Sequence, residues 1–176
     1  MSYEIKQDGK FKFIEEGDGE PLVLLHGLFG ALSNFQSLIE HFRKTNKVIV
    51  PLLPLLELDL LHTSVGGLQK FVHRFIEHRN YNNIHLLGNS LGGHVALVHV
   101  LKHPECIKSI ILTGSSGLFE SGMGDTYPKR GDKDYIRKKT ELTFYDPKIA
   151  TDELVNEVFE ITNNRMKVIK IIALAK

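Results

Sequence analysis

A chain of 176 residues, 42% of them hydrophobic, can bury a sizeable single-domain core and is too apolar to be disordered. Its 22 basic and 21 acidic side chains leave a formal charge of +1, which gives no electrostatic footprint for nucleic acid or an anionic membrane. The single cysteine, Cys106, excludes an intrachain disulfide. With no apolar leader at residues 1–8 and no apolar run of membrane-spanning length, a soluble cytoplasmic protein is the expectation.

In chain order, Tyr3–Gln7 and Lys10–Glu15 flank Asp8-Gly9, a strong short-range hairpin signal. Gly17-Asp18-Gly19 makes the next turn. Pro21 opens a buried-strand run, Leu22-Val23-Leu24-Leu25, that ends in His26-Gly27-Leu28-Phe29-Gly30. Ser33 precedes a helix, with Gln36 three residues on as a capping box. Phe35, Leu38, Ile39 and Phe42 give that helix one apolar face. Val48-Ile49-Val50 reads as a strand stopped by Pro51. Leu68, Phe71, Val72, Phe75 and Ile76 repeat the helical spacing, and Ile84–Leu87 reads as another strand. Leu91 to His103 forms a helix apolar on most faces, hence deeply buried. Ile107, Ile110, Ile111 and Leu112 make a further strand. Strands alternating with helices predict a mostly parallel sheet, with the first hairpin at an antiparallel edge.

Beyond Gly114-Ser115-Ser116-Gly117 the character changes. Glu120 to Asp134 is rich in Gly, Lys and Asp and reads as a loop. Tyr135–Tyr145, Asp152–Asn163 and Arg165–Ala175 then read as helices with no strand between them. The predicted division is therefore a core at 1–118 and a helical region at 119–176.

The most informative stretch is Leu86-Leu87-Gly88-Asn89-Ser90-Leu91-Gly92-Gly93. It places Gly-x-Ser-x-Gly between a strand run and a helix, with Ser90 at the tip of the turn. A serine held in a strained conformation at a sharp bend needs neighbours that do not clash, and Gly88 and Gly92 supply them. The bend also aims the amino end of the following helix at any charge forming beside the hydroxyl. The strand ending in His26-Gly27, followed by the Gly-Asn-Ser-Leu-Gly-Gly turn, resembles the α/β-hydrolase superfamily. More narrowly, it is similar to the small bacterial serine esterases and carbon–carbon bond hydrolases.

That resemblance implies an α/β-hydrolase fold with Ser90 as nucleophile. It also implies an oxyanion hole made by the backbone N–H groups of Leu28 and Leu91; loss of one such donor typically costs about 2.7–4 kcal/mol of transition-state stabilisation. His26 and Gly27 would shape the oxyanion loop, and His26 would not abstract protons. Residues 119–176 would be the start of a helical cap over the active site. Serine at the elbow argues against the dehalogenase and epoxide-hydrolase branches, which use aspartate there. The implied substrate is a small carboxylic ester, or a carbon–carbon bond beside a ketone, with no cofactor, no metal, no nucleic acid and no membrane. Perhydrolysis and acyl transfer use the same parts. A non-catalytic binding or sensor protein on the same scaffold is the rival reading.

The base is the difficulty. In this fold the acid and the histidine follow the serine, yet the last histidine here is His103. It lies at the far end of the helix that starts beside Ser90, roughly 18–20 Å away at 1.5 Å of rise per residue. His94 sits one turn into that helix, directed away from the elbow. For the acid, Glu120 or Asp125 could stand just after the last predicted strand; each reads more simply as a solvated loop carboxylate. The expectation is that the sequence breaks off within the cap, leaving the triad histidine outside it and the last strand as an open edge prone to self-association. The turn after Val50 also departs from the family. Where an Asp-x-Pro-Gly-x-Gly type turn is common, this chain has Pro51-Leu52-Leu53-Pro54-Leu55-Leu56-Glu57-Leu58-Asp59, an apolar pocket wall or a packing segment.

Other motifs carry less. His99 and His103 have the i, i+4 spacing of helical zinc ligands, but no third ligand is recognisable and core or surface histidines are the simpler reading. Gly88–Gly93 does not match a nucleotide-binding loop. Arg137-Lys138-Lys139 reads as a solvated helix face.

Overall fold

The computed structural model describes residues 3–28, 33–118, 129 and 131–174. The chain divides into two compact units, 1–119 and 120–176. The described residues of the first form six strands and three α-helices. The strands are β1 (Lys6–Asp8), β2 (Phe11–Glu16), β3 (Glu20–Leu25), β4 (Asn46–Pro51), β5 (Ile84–Asn89) and β6 (Ile107–Thr113). The helices are α1 (Gln36–Phe42), α2 (Val65–His78) and α3 (Leu91–Lys102).

The sheet order is β1-β2-β4-β3-β5-β6. β1 and β2 form the antiparallel hairpin expected around Asp8-Gly9, with Gly9 at φ +56° in the turn. β2 runs antiparallel to β4, and the pairs β3/β4, β3/β5 and β5/β6 are parallel. From β3 the chain first steps to β4 on one side and then returns to β5 on the other. The carboxyl ends of β3 and β5 therefore diverge into a crevice, where open parallel sheets bind ligands. Leu25 pairs with Gly88 at that end, so His26 and Ser90 leave the sheet side by side.

Alternation along the strands sorts the core. Ile14, Leu22, Leu24, Val48, Val50 and Leu87 face Phe35 and Ile39 of the α1 region. On the other face, Phe11 and Phe13 pack their rings on Phe75 of α2, at 5.4 and 5.3 Å between centroids. The hairpin is also pinned to the end of α2 by charge. Arg79 bonds Asp8 at 2.8 Å and Glu15 at 3.2 Å while lying over the Phe13 ring, and the Tyr81 hydroxyl donates to Glu15. Burial and the Glu15 carboxylate beside it push the Tyr81 hydroxyl up to about 12.

The N-cap expected at Ser33 falls at Phe35 instead. Residues Ser33–Phe35 make a 3-10 turn, and Phe35, which has no side-chain cap bond to offer, stands at the N-cap of α1. Phe35 is 1% exposed: drawing its ring into the core fixes the entry angle, and Gln36 bonds Glu40 instead. α2 has the cap that α1 lacks, with Ser64 Oγ accepting from the Gly67 N–H at 3.0 Å. Among the described residues β6 is a sheet edge, and Ile111 on it is 43% exposed.

In the second unit the described helices are α4 (Lys133–Glu141), α5 (Asp152–Asn163) and α6 (Arg165–Leu174), with a 3-10 turn at Pro147–Ile149. α4 starts two residues earlier than expected because Asp132 caps it, accepting from the Tyr135 N–H. It ends at Glu141, short of Tyr145, where the bonding shifts to the tighter pattern Thr143 to Thr140 and Phe144 to Glu141. α4 packs on α5, with an Arg137–Asp152 ion pair between them. Arg137 in the basic cluster is thus an inter-helix partner.

Candidate active site

β5 delivers three buried residues, Leu86, Leu87 and Gly88, to the turn, and the chain reverses at Ser90. Ser90 adopts φ 54° and ψ −121°, a region that non-glycine residues occupy at a cost of about 1–3 kcal/mol. The surroundings hold it there. The Ser90 N–H donates to Thr113 O at the end of β6 (3.1 Å). Its carbonyl accepts from the N–H groups of Gly93 (3.0 Å), His94 (3.3 Å) and Ser116 (3.2 Å). Asn89 adds two bonds from its side-chain amide to Thr113, at 3.0 and 3.1 Å. The segment after β6 therefore clamps the bend from the side opposite the His26 loop.

Two glycines of the motif are required by space. A Cβ at Gly88 would meet the backbone of Gly92 and Gly93, and one at Gly92 would run into the carbonyls of Leu25 and His26. This close approach seats α3 against the end of β3. It also brings Gly27 beside the serine: a Cβ there would lie 3.1 Å from Ser90 Cβ and 3.5 Å from Ser90 Oγ. Leu28 follows Gly27, and Leu91 opens α3 directly after Ser90. The two amides assigned to an oxyanion hole thus lie on the two segments that meet at the serine. The Leu91 N–H belongs to the first turn of α3, where the helix leaves its N–H groups without internal partners. Ser90 is exposed, and no described residue hydrogen-bonds its hydroxyl.

His26 is 4% exposed and both its ring nitrogens are engaged. Nε2 accepts from the Leu53 N–H at 2.9 Å, so the proton lies on Nδ1, which donates to Gly27 O at 2.8 Å. Burial holds the imidazole below its ordinary value. A neutral ring with its basic nitrogen already occupied fixes the loop and is not free to take a proton. The leucine-rich segment after β4 supplies this lock through Leu53. Leu53 and Leu55 are buried, whereas Leu60 and Leu61 are 50% and 92% exposed. That role of residue 53 had no signal in the sequence, because a backbone amide supplies it.

The other histidines engage elsewhere. His94 packs its ring against Gly117, where a Cβ would collide with it. His62 pairs with Asp59 at 2.8 Å, and His78 with Asp8 at 3.0 Å. His85 lies between Glu20 and Ser109. His99 and His103 meet His73 of α2 in a cluster of rings that spacing within α3 alone could not reveal. Glu120 and Asp125 lie outside the described residues. Among the described residues no group of three or more His, Cys, Asp or Glu side chains is arranged to hold a metal, and no helix is long and apolar enough to cross a membrane.

Comparison with known proteins agrees with this architecture. A family model described as the alpha/beta hydrolase fold matches residues 61–143. "Lipase 1" of Psychrobacter immobilis is 29% identical over 121 residues, covering 65% of this chain and 38% of its own length. An sn-1-specific diacylglycerol lipase of Xenopus laevis is 27% identical over 150 residues, covering 82% and 46%. A solved α/β hydrolase from the sediment metagenome of the Mar Chica lagoon superposes with a TM-score of 0.76 at 38% identity, covering 98% of this chain and 64% of that one. The chain thus spans less than half the length of these curated relatives.

Proposed function

The chain belongs to the α/β-hydrolase superfamily, and we propose that it is the nucleophile-bearing part of a serine hydrolase acting on a small carboxylic ester. The observation that carries this reading is the backbone of Ser90: a strained, exposed serine held by four main-chain hydrogen bonds at the carboxyl end of the sheet, against Gly27. Strain kept in place by its surroundings is the mark of a working site. The lipases among the relatives favour an ester over a carbon–carbon bond beside a ketone.

In this reading Ser90 Oγ attacks the acyl carbon and passes its proton to a base. The carbonyl electrons move onto oxygen, facing the N–H groups of Leu28 and Leu91. Collapse expels the alcohol, which takes the proton back, and water then releases the acid from the acyl-enzyme. The nine histidines of this chain do not supply the base, since His26 is locked and the others engage elsewhere or sit at the far end of α3. The base is accordingly a histidine outside these 176 residues, and the chain by itself is inactive. Residues 119–176 are read as the start of a helical cap, Glu120 as a candidate acid, and the setting as cytoplasmic.

A fluorophosphonate probe tests the assignment. A longer form of the protein that carries the histidine should be labelled at one site, and Ser90→Ala should abolish the labelling. A longer form that stays unlabelled, or is labelled elsewhere, would leave a non-catalytic binding protein on this scaffold as the better reading.

A further inference from the structure

At its carboxyl end α3 packs on α2 through three imidazoles, and the one at its centre, His99, is built for its neutral form. His99 is 0% exposed and lies in a relay of donors with one direction. Lys102 Nζ donates to Gln69 Oε1 (3.4 Å), which turns the Gln69 amide N–H toward His99 Nδ1 (3.4 Å). His99 Nε2–H then faces Cys106 Sγ (3.8 Å), and the thiol donates to His103 O (3.4 Å). Burial pushes the Cys106 thiol up, so it keeps its proton. A second proton on His99 must go to Nδ1, where it meets the N–H of Gln69. Turning the amide over would set its N–H groups against the Lys102 ammonium.

The other two rings add to this. His73 and His103 stack at 3.6 Å between centroids with 12° between their planes. Two like charges stacked face to face at that distance would repel, although each ring is about a quarter exposed. His73 Nδ1 is buried and has no hydrogen-bond partner among the described residues, so a proton there finds no acceptor among them. Two carboxylates face the stack from outside, Glu77 on His73 (3.5 Å) and Glu105 on His103 (3.6 Å).

We infer that His73, His99 and His103 form a proton-operated latch between α2 and α3, closed when the rings are neutral and opened by acid. Stacked rings offer one another faces and not lone pairs, so the cluster is suited to protons and not to a shared metal. The latch is independent of the role of Ser90.

The sign follows from the burial of His99, which with His103 and His73 beside it lowers its pKa to about 4. A histidine whose folded value is depressed contributes stability that is fully present above its ordinary value, near 6.5, and is lost as the pH falls toward 4.

Hydrogen exchange of the chain at pH 7.5 and pH 5.0, each normalised to the intrinsic rate, tests the proposal. Amides of residues 69–78 and 96–106 should lose protection on the order of tenfold at pH 5.0, while β3 and β4 stay protected. His99→Met should remove most of that change, and His41→Gln, at an exposed position on α1, should not. His103→Phe, which keeps a ring but takes no charge, should also reduce it and serves if the Met variant does not fold. Equal loss across the whole sheet, no loss at pH 5.0, or an unaltered loss in the variants would overturn the latch.

Discussion

The two ends of α3 solve opposite problems with the same helix. At the amino end, glycines let the backbone come into contact with β3, Ser90 holds a costly conformation, and its hydroxyl is exposed with no described partner. At the carboxyl end side chains bond one another around the buried His99: Lys102 to Gln69, Gln69 to His99 and His99 to Cys106. One end stores strain and leaves a hydroxyl exposed. The other removes freedom and anchors the helix. A residue can stay strained only if something else holds the element that carries it, and the hydrogen bonds around Ser90 together with the packing of α3 on α2 do so.

The largest effect that could break this contrast comes from Ser90→Gly. In a form that reacts with fluorophosphonate it should abolish labelling outright. The same change should raise stability. Glycine relieves about 1–3 kcal/mol of strain at φ 54° and gives back about 0.4–1 kcal/mol through the freer unfolded chain, for a net gain of about 1 kcal/mol. A urea unfolding curve with an unshifted or lower midpoint would mean that the amino end of α3 is not strained.

Gly92→Ala should act in the other direction. Helix propensity alone favours alanine by about 1 kcal/mol. The new Cβ, however, meets the carbonyls of Leu25 and His26, which are backbone and cannot rotate away, and overpacking of this kind costs about 1–3 kcal/mol. Contact should win, so the melting temperature should fall and labelling of Ser90 should slow. A variant more stable than the parent would show that α3 does not need its close seat on the sheet.

The difference between the ends also explains what could be read from the sequence. The amino end was legible because its demands fall on residue type at fixed spacing: glycine where a Cβ would collide, serine at the tip, an apolar strand before and a helix after. The hairpin at Asp8-Gly9 and the alternation of strands and helices were legible for the same reason. The carboxyl end was not. Gln69, His73 and His99 are brought together by the packing of α2 on α3, and within α3 the spacing of His99 and His103 reads simply as core or surface histidines, with a zinc pair the weaker alternative. The lock on His26 was hidden too, since the Leu53 amide that provides it leaves no trace in residue type. The N-cap of α1 falls at Phe35 and not at Ser33 because burial of the Phe35 ring sets where the helix begins.

The smallest effect tests the carboxyl end most finely. Lys102 is exposed, and its ammonium contacts Gln69 at the length of a weak hydrogen bond, so Lys102→Ala should change stability at pH 7.5 by no more than about 0.5 kcal/mol. Its consequence lies in acid. Without the ammonium, the Gln69 amide can turn over and present Oε1 to a proton on His99 Nδ1. That stabilises the charged ring and moves its folded value back toward the ordinary one. Less depression means less stability lost as the pH falls from 6.5 toward 4, so the variant should be the more acid-tolerant protein although it has lost a hydrogen bond. Melting temperatures at pH 7.5 and 5.0 measure this directly. The gap between them should be narrower in Lys102→Ala than in the parent, and an equal or wider gap would show that the Gln69 amide does not set the protonation of His99.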